Sequence, residues 1–278
     1  MARILVAEDD RATCAFISET LRAAKFAVVT APSTQAALKK IKETKFDVVL
    51  LDIWMPQMNG LDLLASLRKR KTRPKVIVIT SDSADSTSAK LLEAIRDQAY
   101  QCISTPIVAK DLISLVKEAL EEETCGLPIE VISARSDWVE LLVPCTLETA
   151  RRIEGFMAHL EVGLSEDVRG AVGLAFHELL LNAIEWGGKL NPRRKVRISY
   201  LRAKRMVLYR IADPGPGFKF EDLDHAANVE DPMAHDHIRV NKGLRPGGFG
   251  LMVAKAKVDE LIYNEAHNEV VFVKYLDS

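Results

Sequence analysis

Five short apolar runs alternate with segments of helical periodicity over the first 123 residues of the chain. The runs lie at 4–7, 27–30, 48–51, 76–79 and 102–104, and segments such as 12–24 and 34–44 carry apolar residues at helical spacing. Strands that are apolar throughout and alternate with helices form parallel sheets that are covered on both faces. The pattern therefore predicts a doubly wound α/β domain over 1–123, built on a parallel five-stranded sheet.

The rest of the chain has a different order of elements. Residues 124–136 contain Gly126 and Pro128 and little periodicity, so we interpret them as a linker. Over 137–278 the pattern predicts an edge strand at 138–143, helices at 147–160 and 166–186, and strands at 196–200, 206–212 and 270–275. This order predicts an α+β sandwich with helices on one face of a mixed sheet.

The composition excludes several classes of function. The chain has 278 residues, which is enough for two domains, and its formal net charge is -1. There is no basic excess to predict direct binding to nucleic acid, and no run of about 18 apolar residues to predict a membrane span. The four cysteines are scattered, as is typical of thiols in a reducing compartment. We therefore expect a cytoplasmic protein that binds neither nucleic acid nor membrane.

Acidic residues follow two of the predicted strands of the first domain. Glu8 and Asp9 follow the first strand, and Asp52 ends the third. The carboxyl ends of neighbouring strands meet at one edge of the sheet, and clustered carboxylates repel unless a cation such as Mg²⁺ lies among them. Asp52 could then attack a phosphoryl group, which Thr80 could bind through its hydroxyl. The alternative is a set of surface acids that cap helices.

The motifs VAEDD, LLDIWMPQMNG, VIVITS and ISTP, taken together, resemble the response-regulator receiver family over 1–123. The resemblance implies that Asp52 is the phospho-acceptor, that Glu8 and Asp9 help to hold the metal, and that a histidine kinase or small phosphodonor acts upstream. Two positions depart from the family. Thr105 stands where the family has a lysine before the proline, and Cys102 stands where it usually has an aromatic residue. A docking module without the normal switch is therefore the alternative.

Three further motifs follow in the second domain. Glu178, Asn182 and Glu185 stand at i, i+4 and i+7, which places them on one stripe of a single helix. A DPGPG segment from Asp213 follows a predicted strand, and GGFGL from Gly247 opens a helix. Glycines allow close backbone approach to a ligand, and helix N-termini favour phosphate, although either cluster alone could be an ordinary turn.

The order of these motifs resembles the GHKL, or Bergerat, ATP-binding family. The resemblance implies ATP and Mg²⁺ as cofactors, with the amide oxygen of Asn182 on the metal and Asp213 accepting from the adenine amino group. It also implies glycines that line the base pocket or wrap the phosphates, namely Gly215, Gly217, Gly247, Gly248 and Gly250. Residues 219–246 would form a lid, in which Lys242 and Arg245 either neutralise phosphates or are solvated charges.

Within that family the chain resembles the anti-sigma-factor serine kinases, through its short ATP domain, Glu178 and the tail VDELIYNEAHNEVVFVKYL. The resemblance implies a serine/threonine kinase with Glu178 as general base, acting on an anti-anti-sigma-like protein, with a sigma factor as competing ligand. Two alternatives stay open: a nucleotide-gated module that sequesters a partner with little turnover, and half of a histidine kinase. Homodimerisation is also left open.

Overall fold

The computed structural model describes residues 1–55, 60–68, 73–81, 84–121, 127–135, 137–161, 163–219 and 249–276, without the side chains of 81 and 84–88. The chain divides into two compact units, Met1–Pro128 and Ile129–Ser278. Each unit has its own sheet and its own buried core. The chain therefore consists of two units, each with its own layered structure.

The first unit is an α/β domain. Its strands are β1 (Arg3–Ala7), β2 (Ala27–Ala31), β3 (Val48–Asp52), β4 (Lys75–Ser81) and β5 (Gln101–Thr105). Its helices are α1 (Arg11–Ala23), α2 (Thr34–Glu43), α3 (Gly60–Arg68), α4 (Ala84–Arg96) and α5 (Ala109–Glu121). The strands pair in parallel in the order β2-β1-β3-β4-β5, which confirms the predicted doubly wound sheet.

Local sequence explains where these elements begin. Residues 4–7 of β1 and 48–51 of β3 are fully buried, as the central strands of a covered parallel sheet should be. The side chain of Asp10 accepts a hydrogen bond from the Thr13 amide and caps α1, while Ser33 caps α2 through the Ala36 amide. Each cap follows a strand directly, so the chain leaves the carboxyl edge of the sheet straight into a helix.

A buried lysine stabilises the C-terminal end of α5. Lys75 is 6% exposed, and its ammonium group donates a 2.7 Å hydrogen bond to the Ala119 carbonyl. The same ammonium lies 5.1 Å from the centre of the Tyr100 ring. The last carbonyls of a helix carry partial negative charge, so the cation is favourable there despite its burial.

The second unit is an α+β sandwich. Its strands are β6 (Glu130–Ala134), β7 (Trp138–Pro144), β8 (Lys195–Ala203), β9 (Met206–Ala212), β10 (Glu260–Tyr263) and β11 (Glu269–Tyr275). Its helices include α6 (Leu147–Leu160), α7 (Glu166–Asn182) and α8 (Gly250–Lys257), and a π-helical turn (Ala183–Gly187) continues α7. None of the helices in the part of the chain that the structure describes combines the length and apolar character needed to cross a bilayer.

The second sheet corrects three sequence-based expectations. Its order is β10-β11-β9-β8-β7-β6, so β7 is an inner strand and the prediction of an edge strand at 138–143 was wrong. All pairings among the described strands are antiparallel rather than mixed. Strand β6 is the edge strand and lies inside the stretch 124–136 that we interpreted as a linker, so the second unit begins earlier than residue 137.

An aromatic cluster holds α7 against this sheet. The ring of Tyr209 on β9 lies 4.8 Å from Phe176 of α7, 5.0 Å from Tyr200 of β8 and 5.0 Å from Phe272 of β11. Such pairs contribute about 0.5–1.5 kcal/mol each beyond the area that they bury. The opposite face of the sheet carries ion pairs, such as Arg210 with Glu269 at 2.6 Å, so one face is core and the other is solvated.

We expect the stability of the second unit to fall as the pH rises through the titration range of Glu161. This carboxyl group is 3% exposed, and burial raises its pKa from 4.5 to about 7, although it accepts a 2.5 Å hydrogen bond from the Tyr209 hydroxyl. The folded state therefore keeps a proton that the unfolded state loses above pH 4.5, and stability decreases between about pH 4.5 and pH 7, by at most roughly 3 kcal/mol.

Thermal unfolding at pH 5 and pH 8 measures this effect. Glu161→Gln keeps an acceptor for Tyr209 but does not titrate, so its melting temperature should depend less on pH than that of the wild type. Glu265→Gln, an exposed acid in the turn between β10 and β11, is the matched control and should behave like the wild type. Equal pH dependence of all three proteins would contradict the assignment.

Candidate functional site

Three carboxylates meet at the carboxyl edge of the first sheet. Glu8 and Asp9 follow β1, Asp52 ends β3, and these strands are direct neighbours with Ala7 opposite Leu51. One oxygen of each carboxylate lies within 4.8 Å of the others. The structure thus brings together the residues that the sequence placed at strand ends, and their role in binding a metal stays a prediction.

Burial makes this cluster costly without a cation. Glu8 is 5% exposed and Asp52 is 9% exposed. Burial, together with the negative charges of Asp52 and Asp9, raises the pKa of Glu8 to about 7. Burial also raises the pKa of Asp52, whereas the Trp54 amide, which donates to Asp52 Oδ1 at 2.8 Å, lowers it. An all-oxygen, negatively charged set of this kind fits Mg²⁺.

Other predicted residues of the first domain lie on strands β4 and β5 of the same sheet. Thr80 is 1% exposed and is the penultimate residue of β4, opposite Ser104, and Thr105 pairs with Ser81 at the end of β5. A side chain at Gly60 would place its Cβ 2.4 Å from the Asp52 carbonyl oxygen, so a glycine is needed where the chain returns past β3. Cys102 is buried within β5 and does not stand at the strand end.

In the second unit, α7 and the start of α8 come together. Glu178 and Asn182 both lie on α7, one helical turn apart, and both are half-buried. A Cβ at Gly250, the first residue of α8, would lie 2.5 Å from Glu178 Oε2 and 3.5 Å from Asn182 Nδ2. Residues that stand 68 to 72 positions apart in the sequence therefore meet at the start of α8, where Gly250 lies directly against the Glu178 carboxylate.

The π-helical turn after Asn182 brings the chain to Asp213. The Gly188 amide donates to the Ala183 carbonyl at 2.8 Å, which is the i to i+5 bond of a π-helix. A Cβ at Gly187 would lie 2.1 Å from the Asp213 carboxylate. The predicted helix over 166–186 is thus α-helical to Asn182 and π-helical beyond it. Glu185 is half-buried within this π-helical turn, and its place on the stripe of Glu178 and Asn182 stays a prediction.

Asp213 is held in a fixed orientation. Its Oδ1 accepts a 2.7 Å hydrogen bond from the Gly215 amide, and its own amide donates to the Asn268 carbonyl at 2.9 Å. Burial raises the pKa of Asp213, and the Gly215 bond and the charge of Lys189 lower it. A half-buried carboxylate beside glycines can accept a hydrogen bond from a ligand that approaches the backbone closely.

Gly217 packs against the turn between β10 and β11. It has a φ of +86°, and a Cβ at this position would lie 1.6 Å from the Ala266 carbonyl oxygen. The Phe218 amide donates to that same oxygen at 3.1 Å, and the Phe218 ring lies 5.3 Å from the His267 ring. The structure therefore places Gly217 against the hairpin, and its role in lining the base pocket stays a prediction.

Several predicted residues lie outside the described part of the chain. They are Lys242, Arg245, Gly247 and Gly248, together with 220–246 of the predicted lid. Lys219, the first residue of that lid, is described and exposed. Of the phosphate-wrapping glycines, Gly250 is thus the one that the structure allows us to place.

Four residues near the two sites escaped the sequence reasoning. Gly187 directly follows the predicted helix over 166–186, and a glycine at the end of a helix could have identified it as a position of close contact. Asn268 donates to the Gly215 carbonyl at 3.0 Å, and Cys145, whose pKa burial raises to about 11, packs where a Cβ of Gly188 would lie. Lys90 of α4 donates to the Ile53 carbonyl at 3.2 Å. No local pattern marks the last three, because each contact joins distant segments.

Family comparison agrees with the two architectures. Residues 4–117 match the family of response regulator receiver domains, and residues 143–274 match the family of histidine kinase-like ATPase domains. The chain is therefore a receiver domain followed by a histidine kinase-like ATPase domain of the GHKL type. This combination defines a signal-transduction protein.

Individual relatives resemble mainly the first domain. The DNA-binding transcriptional regulator NtrC of Azospirillum brasilense is 30% identical over 123 residues, which cover 44% of this chain and 25% of that protein. Among this and similar curated relatives, the chain spans 24–26% of the length of the relative. The transcriptional regulatory protein KdpE of Mycobacterium tuberculosis is 27% identical over 236 residues, covering 80% of this chain and 100% of that protein.

Solved structures include the CheY-like receiver domain protein of Methanospirillum hungatei, which is 27% identical. The match covers 44% of this chain and 94% of the Methanospirillum hungatei protein, with a TM-score of 0.41. The receiver domain of NtrX from Brucella abortus is 30% identical and covers 43% of this chain and 99% of that chain, with a TM-score of 0.40.

Proposed function

We propose that phosphorylation of Asp52 in the receiver domain regulates an ATP-dependent serine/threonine protein kinase, of the anti-sigma-factor type, in the second domain. The observation that carries the kinase half is the meeting of Gly250 with Glu178 and Asn182, since it joins the two ends of the ATP-binding motif at one place. The receiver half rests on the carboxylate cluster of Glu8, Asp9 and Asp52.

The ATPase domain offers ligand groups for both ends of ATP. Asp213, oriented by the Gly215 amide, would accept from the adenine amino group. Asn182 has an amide oxygen that suits Mg²⁺, and the N-terminus of α8 at Gly250 would favour phosphate oxygens. When bound, the metal supplies positive charge to the phosphates. The lid residues Lys242 and Arg245 and the glycines at 247 and 248 belong to the same proposal.

Glu178 would act on the protein substrate. Phosphoryl transfer depends mainly on positioning and charge neutralisation, so the remaining task is to orient the incoming hydroxyl. Glu178 stands one turn before Asn182 on the same helix, with its Oε2 at the start of α8. A serine oxygen of the partner forms the new bond to the γ-phosphorus, the bond from that phosphorus to the β-phosphate oxygen breaks to release ADP, and Glu178 takes the hydroxyl proton.

Asp52 would accept phosphate in the receiver domain. Its carboxylate oxygen forms a bond to the phosphorus of a phosphohistidine or a small acyl phosphate, and the bond from phosphorus to the donor breaks. The leaving group is the imidazole of the phosphohistidine, which takes a proton from water, or the carboxylate of the acyl phosphate, which stays ionised. Glu8 and Asp9 would hold Mg²⁺ beside this group, and Thr80 would donate to a phosphoryl oxygen.

The partners follow from the same proposal. An upstream histidine kinase or phosphodonor would act on Asp52, and a small anti-anti-sigma-like protein with an exposed serine would receive phosphate from ATP. A sigma factor would compete for the same surface of the ATPase domain. The site would lie in the cytoplasm, where ATP and these partners are present.

Phosphoamino acid analysis tests the proposed reaction. The full chain is incubated with γ-labelled ATP, Mg²⁺ and a partner captured from native lysate, and Asp52→Ala is run in parallel so that label on the receiver is not counted. We expect label on serine or threonine of the partner with both proteins. Label on histidine would replace this proposal with half of a histidine kinase, and a bound but unlabelled partner would replace it with a nucleotide-gated binding module.

A further inference from the structure

A phosphoryl group on Asp52 would add negative charge to a site that is already acidic. Glu8, Asp9 and Asp52 lie together, and two of them are more than nine-tenths buried. Thr105, at the end of β5, offers a hydroxyl group, which can donate a hydrogen bond but carries no charge. A cation from another element would therefore make phosphorylation of Asp52 more favourable.

Lys90 of α4 reaches the turn that directly follows Asp52. Its ammonium nitrogen lies 3.2 Å from the Ile53 carbonyl oxygen and 3.5 Å from the centre of the Trp54 ring. Trp54 in turn donates its amide to Asp52 Oδ1 at 2.8 Å. Two contacts thus hold the cation against the two residues that follow the phospho-acceptor.

These contacts are unusual for a lysine on the solvent-exposed face of a helix. A lysine on a helix surface normally extends its strongly hydrated ammonium group into water. Here the side chain is half-buried, and its ammonium group contacts a backbone carbonyl and the face of an aromatic ring. The charge is therefore held beside the two residues that follow Asp52 in the unphosphorylated protein.

We propose that Lys90 binds the phosphoryl group on Asp52 and supplies from α4 the positive charge that Thr105 does not provide. The inference rests on the proposed phosphorylation of Asp52. An ammonium group has three N–H donors, so Lys90 can keep its bond to the Ile53 carbonyl and donate to a phosphoryl oxygen as well. The four-carbon stem gives the flexibility for this adjustment. Lys90 is then a phosphoryl-binding residue that α4, rather than β5, contributes to the site.

Four variants of the full chain test the role of Lys90. Lys90→Gln removes the charge, Lys90→Arg keeps it, and Lys90→Gln combined with Thr105→Lys restores a cation from β5. Lys39→Gln, an exposed lysine on α2, is the matched control for loss of one surface charge. The measurements are the rate of phosphorylation by acetyl phosphate with Mg²⁺, followed by intact mass, and the affinity for beryllofluoride.

We expect Lys90→Gln to lose about 10- to 100-fold in both measurements, the effect of one charge-assisted hydrogen bond. Lys90→Arg or the added Thr105→Lys should recover at least part of the loss, and Lys39→Gln should match the wild type. A Lys90→Gln rate within twofold of the wild type would overturn the inference. So would a loss that neither variant recovers, because that pattern indicates a packing role against Trp54. A wild-type chain that takes up no phosphate at all would instead refute phosphorylation of Asp52, and the inference with it.

Discussion

Replacing Glu178 by glutamine should lower phosphate transfer to the protein partner by about 10²–10⁴-fold, the usual contribution of a positioned general base. The substitution keeps the shape of the side chain beside Gly250, where Oε2 approaches the start of α8. It removes the group that accepts the proton of the incoming hydroxyl. ATP affinity should stay near that of the wild type, because the proposed ligands Asn182 and Asp213 are unchanged.

Transfer rates with saturating ATP, together with calorimetric ATP titrations, separate these two quantities. The matched control is Glu166→Gln, which makes the same chemical change in the exposed first turn of the same helix. It should transfer phosphate at nearly the wild-type rate. If Glu178→Gln does so too, the base lies elsewhere. If ATP affinity falls in parallel with transfer, Glu178 helps to build the nucleotide site rather than to activate the hydroxyl.

The second large effect concerns recognition of the base. Asp213→Asn should weaken ATP binding by roughly 10- to 100-fold, the value of a hydrogen bond to a charged group. The asparagine oxygen can still accept from the Gly215 amide, which Oδ1 does at 2.7 Å in the wild type. Its NH₂ group would then face the adenine amino group, and two donors repel.

Calorimetric titration with ATP and with GTP, each with Mg²⁺, measures this effect. The wild type should prefer ATP, and the preference should shrink in Asp213→Asn. Asp137→Asn, an exposed residue before β7, tests whether loss of one acidic charge matters by itself and should leave both affinities unchanged. A wild-type chain that binds ATP no better than GTP would refute the adenine contact and, with it, the assignment of the base pocket.

The two architectures were predictable because their signals are local. Apolar runs such as 48–51 identify central parallel strands, and an acid at the end of such a run must lie at the carboxyl edge of the sheet. The Ser33 and Ser165 caps likewise mark helix starts from a few residues of sequence. The positions of Glu8, Asp52, Glu178 and Asn182 follow from these rules without knowledge of tertiary contacts.

The boundary of the second domain was not predictable for a physical reason. Edge strand β6 has no fully buried residue, and Ile132 is 51% exposed, so no buried face marks it as a strand. Inner strand β7 alternates buried and half-buried residues, since one face of the antiparallel sheet is solvated. An inner strand with one wet face has the same pattern as an edge strand, and the sequence could not distinguish them.

Contacts between distant segments were also beyond the sequence. Lys90 meets Ile53 across 37 positions, and Asn268 meets Gly215 across 53. Each contact depends on the exact packing of a helix or a hairpin against a turn. Charge and hydrogen-bonding capacity identify such residues as polar, but only the fold shows that they face a site.

The π-helical turn fixes how many residues separate Asn182 from Gly187. Gly187 lies against Asp213, so the length of this segment determines that contact. Successive residues of an α-helix are about 100° apart around its axis, and a turn closed by an i to i+5 bond holds one residue more than an α-helical turn. Deleting a single residue from 183–186 would restore α-helical winding and rotate Gly187 away from the Asp213 carboxylate. Glu178 and Asn182, which precede the turn, would stay in place. A change of length would therefore uncouple the two ends of the proposed nucleotide site.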